Sequence, residues 1–227
     1  MTPELSLPIQ TAWLIPLYGF IGMLVSLPWA CGLFRRDAHR PAAYLNILLT
    51  LLAFAHGSLI LQEVYQSGPV DLAYPWLSVA DLELNISFSL SLTNLVALEL
   101  ITGLSLLSQV YSLGYMDKEW ALARFFALLG FFEGAMSGVV LSDSLFQSYF
   151  LLEMLTLSTY LLVGFWYAQP LVVTAARDAF LTKRVGDVLL LMGVVALCSY
   201  SGVMGFNDLY AWAAQDTLSP LAATLLG

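Results

Sequence analysis

The sequence predicts an all-α integral membrane protein: a polytopic bundle of six complete transmembrane helices, the start of a seventh, and a small lumenal β-hairpin. Three observations predict this fold. Of the 227 residues, 59% are hydrophobic and only 11% are charged, whereas about 25% of the residues of a soluble domain are charged. Apolar stretches of about 20 residues, enough to span a bilayer as a helix, recur along the chain. All Lys and Arg residues fall in or beside alternate connections between these stretches.

The apolar stretches set the helix positions. The first is too long for a signal peptide, and the ten residues before it contain Glu4 and no basic residue. A seventh run begins near Leu218. The six complete spans are residues 12–34, 42–64, 92–113, 125–141, 145–167 and 179–200.

The basic residues set the orientation. They form three groups: Arg35, Arg36 and Arg40; Lys118 and Arg124; and Arg177, Lys183 and Arg184. The opposite connections carry only acidic charges, at Asp71, Asp81, Glu83, Asp143, Asp208 and Asp216. Lys and Arg in short loops mark the cytoplasmic side of a membrane. We therefore expect the N-terminus to be external or lumenal.

Residues 71–92 differ from the apolar stretches. From Trp76 onward, polar and apolar residues mostly alternate, which is the period of a β-strand. We expect a hairpin or extended lid on the lumenal face that packs against its neighbours.

Glu153 is the leading candidate for function. It lies about 12 Å into its helix, counting 1.5 Å per residue, and its neighbours in sequence are apolar. Burial disfavours the charged form of a carboxyl group unless a cation compensates. Ionisable groups at membrane depth are usually functional, and such a carboxylate suits a proton relay. The alternative is a hydrogen-bonded structural acid.

Other ionisable residues are candidates for the same relay. Glu133 is in the middle of the fourth span, and Glu99, in the third, is the weaker candidate. At the start of the sixth span, Asp187 is four residues from Lys183 and three from Arg184, so either pair can meet on one helix face. We expect an ion pair there that opens and closes beside Glu153, with a static bridge as the alternative.

The remaining reactive residues point to no cofactor in this chain. His56 has no visible partner in sequence, which favours packing over proton relay, and Cys31 and Cys198 are expected to be packing residues. No cluster has the spacing of a metal site, and no glycine-rich phosphate loop follows a strand.

Two adjoining segments carry a family resemblance. They are Tyr-Leu-Leu-Val-Gly-Phe-Trp-Tyr at 160–167 and Ala-Arg-Asp-Ala-Phe-Leu-Thr-Lys-Arg-Val-Gly-Asp at 176–187. They resemble the antiporter-like subunit 5 of type I NAD(P)H–quinone oxidoreductase, the respiratory complex I and its photosynthetic relative. Tyr-Ser-Leu-Gly-Tyr-Met at 111–116, Arg-Phe-Phe-Ala at 124–127 and the Ser-Asp-Ser-Leu turn at 142–145 support the resemblance, which covers essentially the whole chain. The chain departs from the family at Leu152, commonly Trp, and at Gln109, often His.

The resemblance implies roles for the candidate residues. It places Glu153 in the proton-translocating set and implicates Arg184 and Asp187, the aspartate coupling neighbouring subunits. It also implies that residues 1–227 are the N-terminal portion of one antiporter-like transmembrane domain, followed in the family by a broken helix with an essential lysine and by a second, inverted repeat.

The resemblance further suggests a branch and its partners. Glu133 and the segments 35–44 and 169–178 look like the cyanobacterial variants of this antiporter-like protein that serve CO2 uptake in thylakoid complexes. This implies a multi-pass thylakoid protein with cytoplasmic basic loops, beside another antiporter-like subunit and a CO2-hydrating partner. Plastoquinone, iron–sulfur clusters and a candidate zinc ion are expected in partner subunits.

Two other classes remain open. One is a subunit of a multisubunit cation/proton antiporter, which uses the same helical unit. The other is a structural membrane scaffold whose charges form static pairs.

Overall fold

The computed structural model describes residues 6–33, 40–79 and 82–214. This part of the chain folds into eight helices and one two-stranded sheet. In chain order they are α1 (Leu7–Gln10), α2 (Leu14–Ala30), α3 (Arg40–Ser67), β1 (Val70–Val79), β2 (Leu82–Leu90), α4 (Leu92–Tyr115), α5 (Leu122–Leu141), α6 (Leu145–Val163), α7 (Pro170–Ser201) and α8 (Phe206–Ala213).

The helices have the length and composition of a membrane protein. Among the described residues, α3, α4, α5 and α6 are each long and apolar enough to cross a bilayer, and α2 is apolar but shorter. The protein is therefore an integral membrane helical protein. Each of the six predicted spans overlaps one helix, but α7 is not among the four that meet both criteria. The number of membrane crossings accordingly stays a prediction, and the run that begins near Leu218 lies outside the described residues.

The last two predicted spans have wrong boundaries. Helix α6 ends at Val163 rather than at 167, because Gly164 follows as its C-cap. Helix α7 begins at Pro170, nine residues before the predicted start at 179. Proline is favoured in the first turn of a helix, where its missing N–H has no intrahelical acceptor in any case. Arg177 and Asp178, predicted at the edge of a connection, therefore lie within α7.

The alternating segment forms the predicted hairpin. Strands β1 and β2 pair antiparallel from Val70 opposite Leu90 to Val79 opposite Leu82, with an irregularity in register between Pro75 and Leu77. A proline cannot donate to the ladder, so an irregular position suits it. The hairpin is attached to the α5–α6 turn, where the Asp143 N–H donates to the Ser87 carbonyl at 3.1 Å.

Helix α5 is central in the bundle. It packs against α2, α3, α4 and α6, whereas α7 packs mainly against α6. Small residues at helix contacts allow backbones in membranes to approach closely. Gly22 of α2 and Gly130 of α5 leave room for the Asn46 side chain of α3, whose Oδ1 lies 2.5 Å from where a Cβ would stand on either glycine. The Asn46 amide is buried and donates to the Ala42 carbonyl at 3.1 Å and the Gly22 carbonyl at 3.2 Å.

Candidate functional site

Glu153 lies at the contact between α6 and α7, and each of its carboxylate oxygens has a donor. The Tyr149 hydroxyl, one turn earlier on α6, donates to Oε1 at 2.8 Å. The Arg184 guanidinium of α7 forms an ion pair with Oε2. The side chain of Glu153 is only 20% exposed. A carboxylate with two donors, one of them cationic, is favoured in its charged form even when it is partly buried.

A second polar contact links the same two helices. The Lys183 ammonium of α7 donates to the Thr156 hydroxyl of α6. Tyr149, Glu153 and Thr156 follow a spacing of four and three residues, which places them on one face of α6. The guanidinium of Arg184 also stands 5.0 Å from the centre of the Phe180 ring. The contacts with the Phe180 ring and with the Glu153 carboxylate together orient the Arg184 side chain.

Asp187 does not make the predicted ion pairs. Arg184 pairs with Glu153 and Lys183 with Thr156, so both basic side chains reach across to α6 rather than along α7. The buried Oδ2 of Asp187 has no hydrogen-bond partner among the described residues. The spacing rule compares neighbours on one helix, and it could not anticipate a partly buried carboxylate on the adjacent helix. The structure thus brings together Glu153, Lys183, Arg184 and Asp187, in a different pairing.

Glu133 lies elsewhere in the bundle. It is fully buried at the contact between α5 and α2, where its carboxyl group faces Gly19 and no side chain fits on that glycine without overlap. Ser137, one turn along α5, donates to its Oε1 at 3.1 Å. Its Oε2 has no partner in the described part of the chain. Its contacts are therefore separate from those of Glu153.

The other two candidate residues have partners on neighbouring helices. Ser58 of α3 donates to the Glu99 carboxylate at 3.0 Å. His56 Nε2 lies 3.1 Å from the Pro8 carbonyl and 3.2 Å from the Thr11 hydroxyl, two partners that were not visible from the sequence. These partners precede the first predicted span, in a segment that the sequence analysis left without structure.

Tyr149 is the residue of the site that the sequence analysis missed. The available signal was a tyrosine four residues before Glu153 on a predicted helix, since residues at that spacing face each other. Within the described ranges, no three His, Cys, Asp or Glu side chains form a group that could hold a metal ion. The cofactors expected in partner subunits stay a prediction.

The two ends of the bundle carry opposite charges. At one end, Arg40 of α3 pairs with Asp117 after α4 at 2.5 Å. At the same end, Arg124 of α5 stacks on Phe165 and Tyr167. At the other end, Asp71, Asp143 and Asp208 interact electrostatically. Burial raises the pKa of Asp143, and the charges of Asp71 and Asp208 raise it further.

Comparisons with known proteins match most of this chain. A family model described as NADH-Ubiquinone oxidoreductase (complex I), chain 5 N-terminus, matches residues 76–126. A second, described as NADH:quinone oxidoreductase/Mrp antiporter, TM, matches residues 142–226 and so includes the α6–α7 contact.

Curated relatives match over the whole length of the chain. NAD(P)H-quinone oxidoreductase subunit 5, organellar chromatophore 2, of Paulinella chromatophora is 73% identical over 229 residues, covering 100% of this chain and 37% of the relative. The chloroplastic NAD(P)H-quinone oxidoreductase subunit 5 of Agrostis stolonifera is 32% identical over 226 residues, covering 95% of this chain and 30% of the relative. The chain therefore spans about a third of the length of these relatives.

A solved structure shares the fold. A chain of the membrane-bound sulfane sulfur reductase, an archaeal respiratory membrane complex, superposes with a TM-score of 0.80 at 15% identity, covering 95% of this chain and 42% of that one. At that identity the likeness concerns the fold alone.

Proposed function

Because this chain belongs to the family of subunit 5 of type I NAD(P)H–quinone oxidoreductases, we propose that it is a proton-translocating membrane subunit of such a complex. The observation that carries the proposal is the cross-helix ion pair between Glu153 and Arg184. An ionisable pair at membrane depth is costly to maintain and is by default a candidate for function. Glu153 is the residue that takes up and releases the proton.

The Oδ2 atom of Asp187 has no hydrogen-bond partner among the described residues, so Asp187 offers Arg184 a second carboxylate to pair with. Arg184 and Asp187 are three residues apart, a spacing at which side chains on a helix can meet. When Arg184 turns from Glu153 to Asp187, Glu153 loses its cation, and its partly buried carboxylate is then stabilised by taking up a proton. The return of Arg184 favours release of that proton. Lys183, which donates a hydrogen bond to Thr156, keeps a second positive charge at the contact between α6 and α7.

Glu133 belongs to a separate step of the proposal. Its carboxyl group has a hydroxyl donor and no cation among the described residues. A buried acid without a counter-ion is favoured in its neutral form. We assign it the role of a proton-holding group at the α2–α5 contact.

The finer assignment is the photosynthetic, CO2-uptake form of the complex. Two named relatives, one of a chromatophore and one of chloroplasts, support a thylakoid-type membrane. In this assignment electrons pass from ferredoxin or NAD(P)H to plastoquinone in partner subunits, a partner hydrates CO2, and this subunit moves the released proton. The basic end, with Arg40 and Arg124, faces the cytoplasm, and the hairpin faces the lumen.

Replacing Glu153 tests the proposal directly. In membranes that contain the complete complex, Glu153→Gln keeps the shape of the side chain but removes the titrating group. We expect the proton uptake per quinone reduced that depends on this subunit to be lost while the amount of assembled complex is unchanged. Glu63→Gln on α3 is the matched control, because the Glu63 side chain makes no hydrogen bond or ion pair among the described residues. Unchanged coupling of proton uptake to quinone reduction in Glu153→Gln would contradict the proposal.

A second candidate function is a subunit of a multisubunit cation/proton antiporter. The description of the family model that matches residues 142–226 includes such an antiporter. Mass spectrometry of the complex that purifies with this chain separates the two functions. Quinone-reductase subunits support the proposal, and antiporter subunits alone support the second candidate. If the charged pairs are a static scaffold instead, Glu153→Gln lowers assembly rather than turnover.

A further inference from the structure

Tyr149 occupies a position that the proposed mechanism leaves without a role. We propose that it is a positioning residue: its hydroxyl holds the Glu153 carboxylate in the orientation that meets Arg184, and its removal alters the pH dependence of proton transfer. The inference rests on the proposed function of Glu153. It adds a residue whose contribution can be measured separately from that of the acid.

The geometry divides the carboxylate between two helices. Oε1 accepts from Tyr149, on the same helix as Glu153, and Oε2 accepts from Arg184 on α7. Ordering a glutamate side chain costs conformational entropy. The hydrogen bond from Tyr149 already restricts the Glu153 side chain, so the binding of Arg184 costs less additional entropy. Tyr149 stays one turn away on α6 whether or not Arg184 is in place. It therefore keeps Oε2 directed at α7 when Arg184 turns away.

The hydroxyl also distinguishes the two protonation states. A phenol that donates a hydrogen bond stabilises the ionised carboxylate more than the neutral acid. Removing the donor therefore weakens the stabilisation of the ionised carboxylate relative to the neutral acid.

Besides Glu153 itself, the charged groups that interact with the hydroxyl come from α7. Arg184 and Asp187 both interact with it electrostatically, and Lys183 is held on Thr156 two turns from Tyr149. On α5, which also packs against α6, the ionisable residues are Arg124 and Glu133. Arg124 donates to the Phe165 carbonyl, and Glu133 faces α2. Among the described residues, the ionisable side chains that bind the Glu153 carboxylate are therefore Tyr149 of α6 and Arg184 of α7.

Tyr160 is a matched control on the same helix. Its ring packs against Phe180 of α7 with 4.9 Å between the ring centres, and its hydroxyl makes no hydrogen bond among the described residues. Tyr149→Phe and Tyr160→Phe each remove one hydroxyl from α6 while keeping the ring. Only the first removes a hydrogen bond to Glu153.

The experiment measures the pH profile of proton-coupled quinone reduction in membranes containing the complete complex, normalised to the amount of assembled complex. For Tyr149→Phe we expect the profile to move toward higher pH by about one unit, the size expected for losing one hydrogen bond to a charged group. The expected profile of Tyr160→Phe is that of the unchanged protein. Equal profiles for all three proteins would overturn the inference, and so would a decrease in activity without a shift.

Glu153→Gln in the same assay separates this inference from the proposed function. Loss of coupling in Glu153→Gln together with an unshifted Tyr149→Phe profile overturns the role of Tyr149 alone. Retained coupling in Glu153→Gln overturns both. Loss of coupling together with a shifted Tyr149→Phe profile supports both.

Discussion

At the scale of single residues, three buried or partly buried acids meet three different environments. Glu153 is paired with a cation, Glu133 has one hydroxyl donor and no cation among the described residues, and Asp143 lies near two other carboxylates. A nearby cation favours the charged form of a carboxyl group, whereas burial and neighbouring negative charges disfavour it. A residue type alone therefore does not assign a role, and the neighbours decide it.

Asp143 makes the end of the bundle that carries the hairpin sensitive to pH. Its pKa is raised by burial and by Asp71 and Asp208, so its folded-state pKa exceeds the ordinary value of 3.8. The stabilising contribution is fully present below that value and is lost as pH rises through the raised pKa. We expect the backbone amides of Asp143, Leu145 and Phe206, which bond across this junction, to exchange hydrogen more slowly at acidic than at neutral pH, after correction for intrinsic rates.

The variant Asp143→Asn isolates this effect. It should give slow exchange of the three amides at neutral pH as well, because the neutral side chain no longer repels Asp71 and Asp208. Asp178→Asn, on α7 and paired with Arg177, is the control and should leave the three amides unchanged. Faster exchange in Asp143→Asn would contradict this prediction.

At the scale of elements, the sequence predicted what depends on local pattern. Long apolar runs predicted the helices, and the alternation after Trp76 predicted the hairpin. Helix α8 was missed because eight residues are too few for a clear apolar period. The start of α7 was missed because Arg177 and Asp178 separate its first two apolar turns from the longer apolar run that follows.

The candidate site was predictable to a similar extent. A carboxylate within an apolar run singled out Glu153, and the charged entrance to the sixth span indicated Arg184. Their pairing across two helices depends on the rotation and height of α7 against α6, which no spacing within one helix determines. Glu133 was grouped with Glu153 for the same reason, although its helix turns it toward α2.

The glycines at the contacts between α2, α3 and α5 are positions at which a larger side chain should destabilise the bundle. Gly130→Ala brings a methyl group against the Asn46 amide, which is already held by carbonyls of α2 and α3. We expect a loss of about 1–3 kcal/mol of stability from overpacking, measured as a lower temperature at which the chain dissociates from the heated complex. Gly193→Ala on α7 is the control, because nothing lies within 4 Å of the added carbon. Equal dissociation temperatures for the two variants would show that Asn46 is not confined in this way.

At the scale of the whole molecule, charge separates along the bundle axis. In the described part of the chain, one end of the bundle carries Arg40, Arg124 and Lys118. The other end carries Asp71, Asp143 and Asp208. Short loops rich in Lys and Arg stay on the cytoplasmic side during insertion. The proposed orientation therefore places an acidic surface on the lumenal side.

Chemical labelling of Cys31 tests this orientation. It is a free, exposed thiol at the C-cap of α2, at the basic end. In sealed, oriented membrane vesicles, a membrane-impermeant maleimide should label Cys31 from the cytoplasmic face and not from the lumenal face. Cys31→Ser removes the labelled site and identifies the signal. Labelling from the lumenal face alone would reverse the proposed orientation.

The way α7 is held has a mechanical consequence. This helix carries Lys183, Arg184 and Asp187, packs mainly along α6, and leaves apolar side chains such as Leu189 and Met192 exposed. Arg184 and Asp187 are about 4.5 Å apart along the axis, at 1.5 Å per residue. Only a slide of α7 by that distance together with a rotation of about 60° would set Asp187 where Arg184 now stands. The charge that α7 presents to Glu153 therefore depends on the height and rotation of this helix against α6.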